Sequence, residues 1–141
     1  TACPAAQVRT TPEPEPCPAG AVETMTNTLG IRIEWMHGIT FLPFGQGGQR
    51  IPVREGFTSV GIRGPWGKLP AGTRLQGRLV FGEGRVHGRF TEARTEQGDT
   101  YKVCMEMWQE SKRGAEMEPG SGKETVKMHS STDVKAVDRF E

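Results

Sequence analysis

The feature that most constrains this chain is a strict alternation of apolar and polar residues between positions 74 and 91. Because side chains of a strand point alternately to its two faces, the alternation predicts strands with one dry face and one polar face. The Gly82-Glu83-Gly84 turn divides this segment and predicts a β-hairpin. The main apolar positions are Leu75, Leu79, Phe81, Val86 and Phe90.

A third strand is predicted from Tyr101 to Trp108, after a turn at Gln97-Gly98-Asp99. Shorter alternations around residues 51–62, 125–129 and 134–140 predict further strands. The chain of 141 residues has 19 glycines and 10 prolines, which favours turns and short strands over a helical bundle. We therefore predict a mainly β fold, an antiparallel β-barrel or sandwich of about seven to nine strands.

Three segments depart from the hairpin pattern. Apolar residues at positions 22, 25 and 29 recur at helical spacing and predict one short helix that begins at Pro18. Positions 31–35 alternate again and predict a strand. The polar, glycine-rich residues 109–123 predict a long surface loop.

The N-terminal residues have a different composition. Residues 1–17 are predicted to form an extended Pro-rich arm, and residues 18–141 a single β-rich domain. The run Pro12-Glu13-Pro14-Glu15-Pro16 favours an extended polyproline conformation and cannot build a core. The arm is either a spacer or a strap laid across the domain.

The three cysteines are Cys3, Cys17 and Cys104. A disulfide between Cys17 and Cys104 would join the arm to the sheet and close a long loop, contributing about 4 kcal/mol. Cys3 would then have no disulfide partner. Because a small residue precedes it, its position resembles a lipidation site. A Cys3–Cys17 bridge and three reduced thiols are the alternatives. We expect an extracytoplasmic location, which is secreted, periplasmic or anchored to an outer membrane.

The net charge of +1 conceals an uneven distribution. Residues 50–94 carry nine Lys and Arg against three acidic residues, whereas residues 95–141 carry seven against ten. The predicted outer face of the hairpin carries the candidate ligand-binding residues Arg74, Arg78, Arg85, His87 and Arg89, and Arg63 and Arg94 could extend it.

Arginines so close together on a sheet need an anion among them. An external anion would be an acidic glycan, a lipid head group or a partner's carboxylates. The internal candidates are Glu92, Glu106, Glu116 and Glu118.

The sequence gives little sign of catalysis. His37, His87 and His129 lack the spacing of metal ligands, so we expect no metal site and no cofactor. His129 lies near Ser130 and Asp133, but a working triad is assembled from distant segments. We therefore expect no catalytic residues.

Several motifs resemble one protein family. They are Leu69-Pro70-Ala71-Gly72-Thr73-Arg74-Leu75, Gly88-Arg89-Phe90-Thr91, Gly98-Asp99-Thr100-Tyr101 and residues 134–141. Together they resemble a group of uncharacterised myxobacterial proteins, secreted or lipoprotein-like, some of them labelled as associated with serine/threonine kinases. The resemblance implies no activity, and the kinase catalytic motifs are missing from this sequence.

These observations predict a non-enzymatic extracytoplasmic domain that works by binding or by structural assembly, one version being a cell-surface or filament subunit. An anion-binding module that uses the basic hairpin face is one alternative, and a small hydrolase is the other. The expected partners are a second copy of the chain, another surface protein, or an acidic glycan or lipid. The near-neutral charge argues against nucleic acid.

Overall fold

The computed structural model describes residues 12–43, 47–121 and 125–141. Six antiparallel strands close into a barrel, which confirms the predicted mainly β architecture. The barrel strands are β2 (Met36–Thr40), β4 (Gly56–Ile62), β5 (Arg74–Gly82), β6 (Arg85–Arg94), β7 (Thr100–Gln109) and β11 (Ser131–Ala136). They pair in the order β2-β4-β5-β6-β7-β11, with β11 returning to β2.

Short strands surround the barrel. β3 (Arg50–Val53) pairs with β10 (Val126–His129), and β8 (Lys112–Arg113) and β9 (Ala115–Glu116) pair with β7 and β6. β1 (Glu15–Pro16) pairs with β12 (Arg139–Phe140). Residues 112–116 therefore lie along the barrel, and the predicted long loop is wrong over that stretch.

The hairpin forms as the alternation predicts. β5 and β6 pair from Arg74↔Arg94 to Gly82↔Arg85, with a bulge beside Gly77. The strands approach so closely there that a Cβ on Gly77 would lie 1.9 Å from the main-chain oxygen of Arg89. Only glycine fits this contact, and the bulge bends the hairpin as barrel closure requires.

The dry face of the hairpin lines a fully buried core. Leu75, Val86 and Phe90 are 0% exposed. β7 adds alternate residues to the same interior, and β11 adds Val134 and Ala136. The side chains contributed by β7 are Val103, Met105 and Met107.

The N-terminal segment is fastened to the outside of β7. A disulfide joins Cys17 to Cys104, which confirms the predicted pairing and excludes a Cys3–Cys17 bridge. Cys3 itself lies outside the described residues. Next comes α1 (Ala21–Glu23), which continues as a π-helical turn (Thr24–Thr28). Met25 is buried there, and its Sδ accepts the Cys104 N–H at 3.4 Å.

The helix and the following strand are both shorter than the sequence predicts. The helix begins at Ala21 rather than Pro18, after Gly20 at φ 83°. The strand predicted over 31–35 is absent there, because the Trp35 N–H bonds to the Arg32 oxygen and Glu34 has φ 81°. This turn leaves β2 to begin at Met36.

Candidate binding face on the hairpin

Cross-strand pairing places one row of side chains on the outside of the barrel. The successive pairs are Phe57↔Arg78, Arg78↔Arg89, Arg89↔Glu106 and Glu106↔Lys135. The row runs from β4 to β11 and mixes cations, an acid and one aromatic ring. Its charges balance only if other segments supply anions.

The arm supplies the first of these anions. Glu15 forms ion pairs with both Arg78 and Arg89, and its Oε1 lies 2.9 Å from Nη1 of Arg89. The Arg89 side chain is only 5% exposed, so a paired anion greatly lowers the cost of burying it. Arg89 also donates to the main-chain oxygens of Pro12 and Glu141, at 3.5 and 3.3 Å. Residues 12–17 are therefore a strap, which was one of the two predicted roles of the arm.

Arg85 and His87 lie beneath the β8–β9 segment. Arg85 donates to the main-chain oxygens of Arg113 and Gly114, at 2.9 and 2.8 Å. His87 is buried, and its Nε2 donates to the Gly82 oxygen at 3.2 Å. Burial lowers the pKa of His87 below its usual value, and the positive charges of Arg85 and Arg89 lower it further. Both side chains therefore have a structural role, since Arg85 joins β6 to the β8–β9 segment and His87 bonds to the turn at Gly82.

Glu106 balances the centre of the row. It is 2% exposed and lies across from Arg89 in the strand register. Its Oε1 accepts hydrogen bonds from Arg113 Nε at 3.0 Å and from Trp108 Nε1 at 3.3 Å, and its Oε2 accepts the Glu141 N–H. The buried carboxylate is thus satisfied by three donors from its own chain.

Three cations of the six barrel strands are exposed to solvent. Arg74 and Lys102 are exposed, and the Arg94 side chain is 54% exposed. Arg94 lies 3.7 Å from Glu92, a solvent-exposed contact that neutralises little. We call this surface the hairpin face and define it by Phe57, Ser59, Arg74, Gln76, Arg78, Glu92, Arg94 and Lys102.

The five candidate ligand residues therefore separate into two groups. Arg74 and Arg78 reach the hairpin face, although Arg78 is also paired with Glu15 of the strap, and Arg85, His87 and Arg89 are turned to the strap and to β8–β9. Glu15, the counter-ion of Arg78 and Arg89, was not predicted from the sequence. The Pro-Glu alternation marks the arm as acidic, but no local pattern connects it to arginines more than 60 residues away.

Within the described residues, each histidine bonds to the main chain. His37 donates to the Gly64 oxygen at 3.1 Å and stacks on Trp66, and His129 Nδ1 accepts the Ser131 N–H. The described ranges contain no group of three or more His, Cys, Asp or Glu side chains that could hold a metal ion. No helix within those ranges is both long and apolar enough to cross a membrane.

No protein family model, curated protein or solved structure matches this chain. The resemblance to the myxobacterial group stays a prediction.

Proposed function

We propose that this protein is a non-enzymatic extracytoplasmic binding domain whose hairpin face recognises an acidic glycan. The observation that carries the proposal is the charge of the barrel surface. The hairpin face carries three arginines and one lysine against a single acidic residue of its own, Glu92. The strap adds two carboxylates, Glu13 and Glu15, so the surface keeps a small excess of positive charge.

The shape of the surface favours a chain-like anion over a membrane. The exposed cations lie on neighbouring strands of a closed barrel, where Arg74 pairs with Arg94, and Glu92 pairs with Lys102. A barrel is convex, so a flat bilayer would reach few of these groups, whereas a flexible polyanion can follow the curve. Guanidinium groups also bind carboxylate and sulfate groups through two parallel hydrogen bonds.

The disulfide supports the location. Disulfides persist in oxidising compartments, and the Cys17–Cys104 bond is consistent with an extracytoplasmic protein. Secretion, a periplasmic location and anchoring through Cys3 are finer alternatives within that proposal.

Binding of a soluble acidic polysaccharide such as heparin, measured over a salt series, tests the proposal. The double variant R94Q/K102Q should bind about 5- to 30-fold more weakly, because each exposed ion pair contributes about 0.5–1 kcal/mol. The control R63Q/K68Q removes one exposed Arg and one exposed Lys outside the hairpin face and should leave the affinity nearly unchanged. Equal losses in both variants would show binding to net charge alone and contradict the proposal. Anionic vesicles that bind more tightly than the polysaccharide would redirect it to lipid.

Assembly is a second candidate, favoured by one observation. The side chain of Phe57 is 75% exposed beside Arg78, an unusual position for a large aromatic residue. If copies of the chain associate through Phe57, F57S should reduce the particle size measured by light scattering. Deletion of residues 1–11, which leaves the described strap in place, serves as the comparison. An unchanged size in F57S would exclude this contact.

A further inference from the structure

A cleft lies beside the hairpin face, where β2, β4 and β5 approach the turns that precede β5 and follow β6. It encloses about 340 Å³, within the range of sites for small molecules. Its walls combine apolar side chains with two opposite charges. The residues that matter are Thr40, Leu42, Ile62, Ala71, Arg74 and Glu96.

The floor of the cleft is open because a glycine interrupts an outward-facing row. Thr40 pairs with Gly61, and Gly61 pairs with Arg74. A Cβ on Gly61 would meet Nη1 of Arg74 at 3.7 Å, an ordinary contact distance. The absent side chain thus leaves a space directly beneath the guanidinium group.

Two of the three nitrogens of the Arg74 guanidinium are hydrogen-bonded to Ser59. Its Nε donates to the Ser59 hydroxyl and its Nη2 to the Ser59 main-chain oxygen, both at 2.8 Å. Within the described residues, Nη1 makes no such bond. A cation fixed by two bonds loses little side-chain entropy when its third nitrogen binds an anion.

Glu96 brings the opposite charge to the cleft. A Cβ on Gly72 would lie 2.4 Å from its Oε1, so the carboxylate rests against the turn before β5. Gly72 has φ +89°, a conformation that further favours glycine at this contact. Glu96 is exposed, and among the described residues it forms no ion pair with Arg74 or with another cation.

We propose that this cleft binds a small zwitterion of the amino-acid or short-peptide type. Its carboxylate would bind Nη1 of Arg74, its ammonium group would bind Glu96, and its apolar body would contact Leu42, Ile62 and Ala71. Two opposite charges at the edges of one apolar cleft match a ligand that carries both charges. The site does not depend on the acidic glycan, which needs no carboxylate from the protein.

Three probes that share the leucine side chain test the proposal. Leucine carries both charges, N-acetyl-leucine only the carboxylate, and leucinamide only the ammonium group. NMR titration of the ¹⁵N-labelled protein should show leucine binding with a Kd on the order of 1 mM, as expected for so small a ligand. Each singly charged probe should bind about tenfold more weakly, since it loses one charge-assisted bond.

Variants locate the site. R74Q and E96Q should each weaken leucine binding about tenfold, and E96Q should leave N-acetyl-leucine unaffected. G61V fills the floor of the cleft without removing a charge and should abolish binding, while the control R94Q should bind leucine normally. An unchanged fold is checked by the amide spectrum of each variant.

Three results would overturn the proposal. The first is the absence of leucine-dependent shifts at about 10 mM leucine, tenfold above the expected Kd. The second is equal affinity for all three probes, and the third is normal binding of leucine by G61V. The polysaccharide test separates this site from the proposed function. E96Q should not weaken polysaccharide binding, and R94Q/K102Q should not weaken leucine binding, so either proposal can fail while the other stands.

Discussion

Replacing Glu15 with Gln tests whether the strap is fastened by charge. In the native protein this carboxylate contacts Arg78 and the buried Arg89. The E15Q change keeps the size of the side chain and its ability to accept a hydrogen bond, but it removes the negative charge. Arg89 would then be a buried cation whose strap contacts are neutral acceptors, the amide oxygen of the substituted side chain and the Pro12 oxygen at 3.5 Å.

The expected cost lies between two limits. A charge-assisted hydrogen bond contributes about 1.5–3 kcal/mol, and a buried ion left without its partner costs about 3–5 kcal/mol. The Glu15 side chain is 39% exposed, so water can partly replace it, and Arg89 keeps a bond to the Glu141 oxygen at 3.3 Å. We therefore expect E15Q to lower the free energy of unfolding by about 2 kcal/mol. In a chain of this size, Tm should fall by about 4–8 °C.

The arm provides a matched control. Glu13 belongs to the same Pro-Glu run but is exposed, so E13Q should change the free energy of unfolding by less than about 0.5 kcal/mol. Urea titration followed by tryptophan fluorescence measures both variants. Equal stabilities of E13Q and E15Q would refute the reasoning. A double-mutant cycle of E15Q with R89Q should give a coupling of about 1 kcal/mol or more, and additive effects would count against a direct ion pair.

Three further predictions concern the disulfide, the bulge and the buried histidine. C17A/C104A should lower the free energy of unfolding by about 4–5 kcal/mol in urea titration, because the two cysteines are 87 residues apart, and a loss below about 1 kcal/mol would contradict this. G77A should prevent normal closure of the barrel and broaden the amide NMR spectrum, because its Cβ would collide with a main-chain oxygen, whereas G47A, which meets nothing within 4 Å, should fold normally. The His87 pKa is lower in the folded protein than in the unfolded chain, so the unfolded chain binds more protons and stability falls as the pH drops through about 6.5. H87Q should show a smaller loss over that range, and an unchanged slope would exclude His87 as its source.

The hairpin shows what the alternation of apolar and polar residues can predict. Alternation correctly placed Leu75 and Phe90 in the core, because side-chain direction on a strand repeats every two residues whatever the strand pairs with. The same rule failed at residues 31–35. There the pattern of apolar residues is regular, but a turn at Glu34 replaces the strand, and alternation alone carries no signal for a positive φ.

The candidate site was harder to predict than the fold. The arginines of the hairpin were identified from their spacing, but their partners come from residues far away in the sequence. Arg89 is paired by Glu15, and Arg85 is bound by the main-chain oxygens of Arg113 in β8 and of Gly114, which follows it. The cleft at Arg74 and Glu96 depends on Gly61 of another strand, so no single segment of sequence reveals it.

The sequence by itself determined the strands of the meander, the division of their side chains between a dry and a polar face, and the acidic, Pro-rich composition of the arm. Those properties are local, whereas the pairing of Cys17 with Cys104 was one of several possibilities until the structure decided it. Only the tertiary structure decided that the sheet closes into a barrel, that Glu15 neutralises the buried arginine, and that Arg74 keeps an unoccupied nitrogen above a cleft. The physical reason is that charges act through space. Which cations are neutralised therefore depends on strand order and register, which periodicity does not encode.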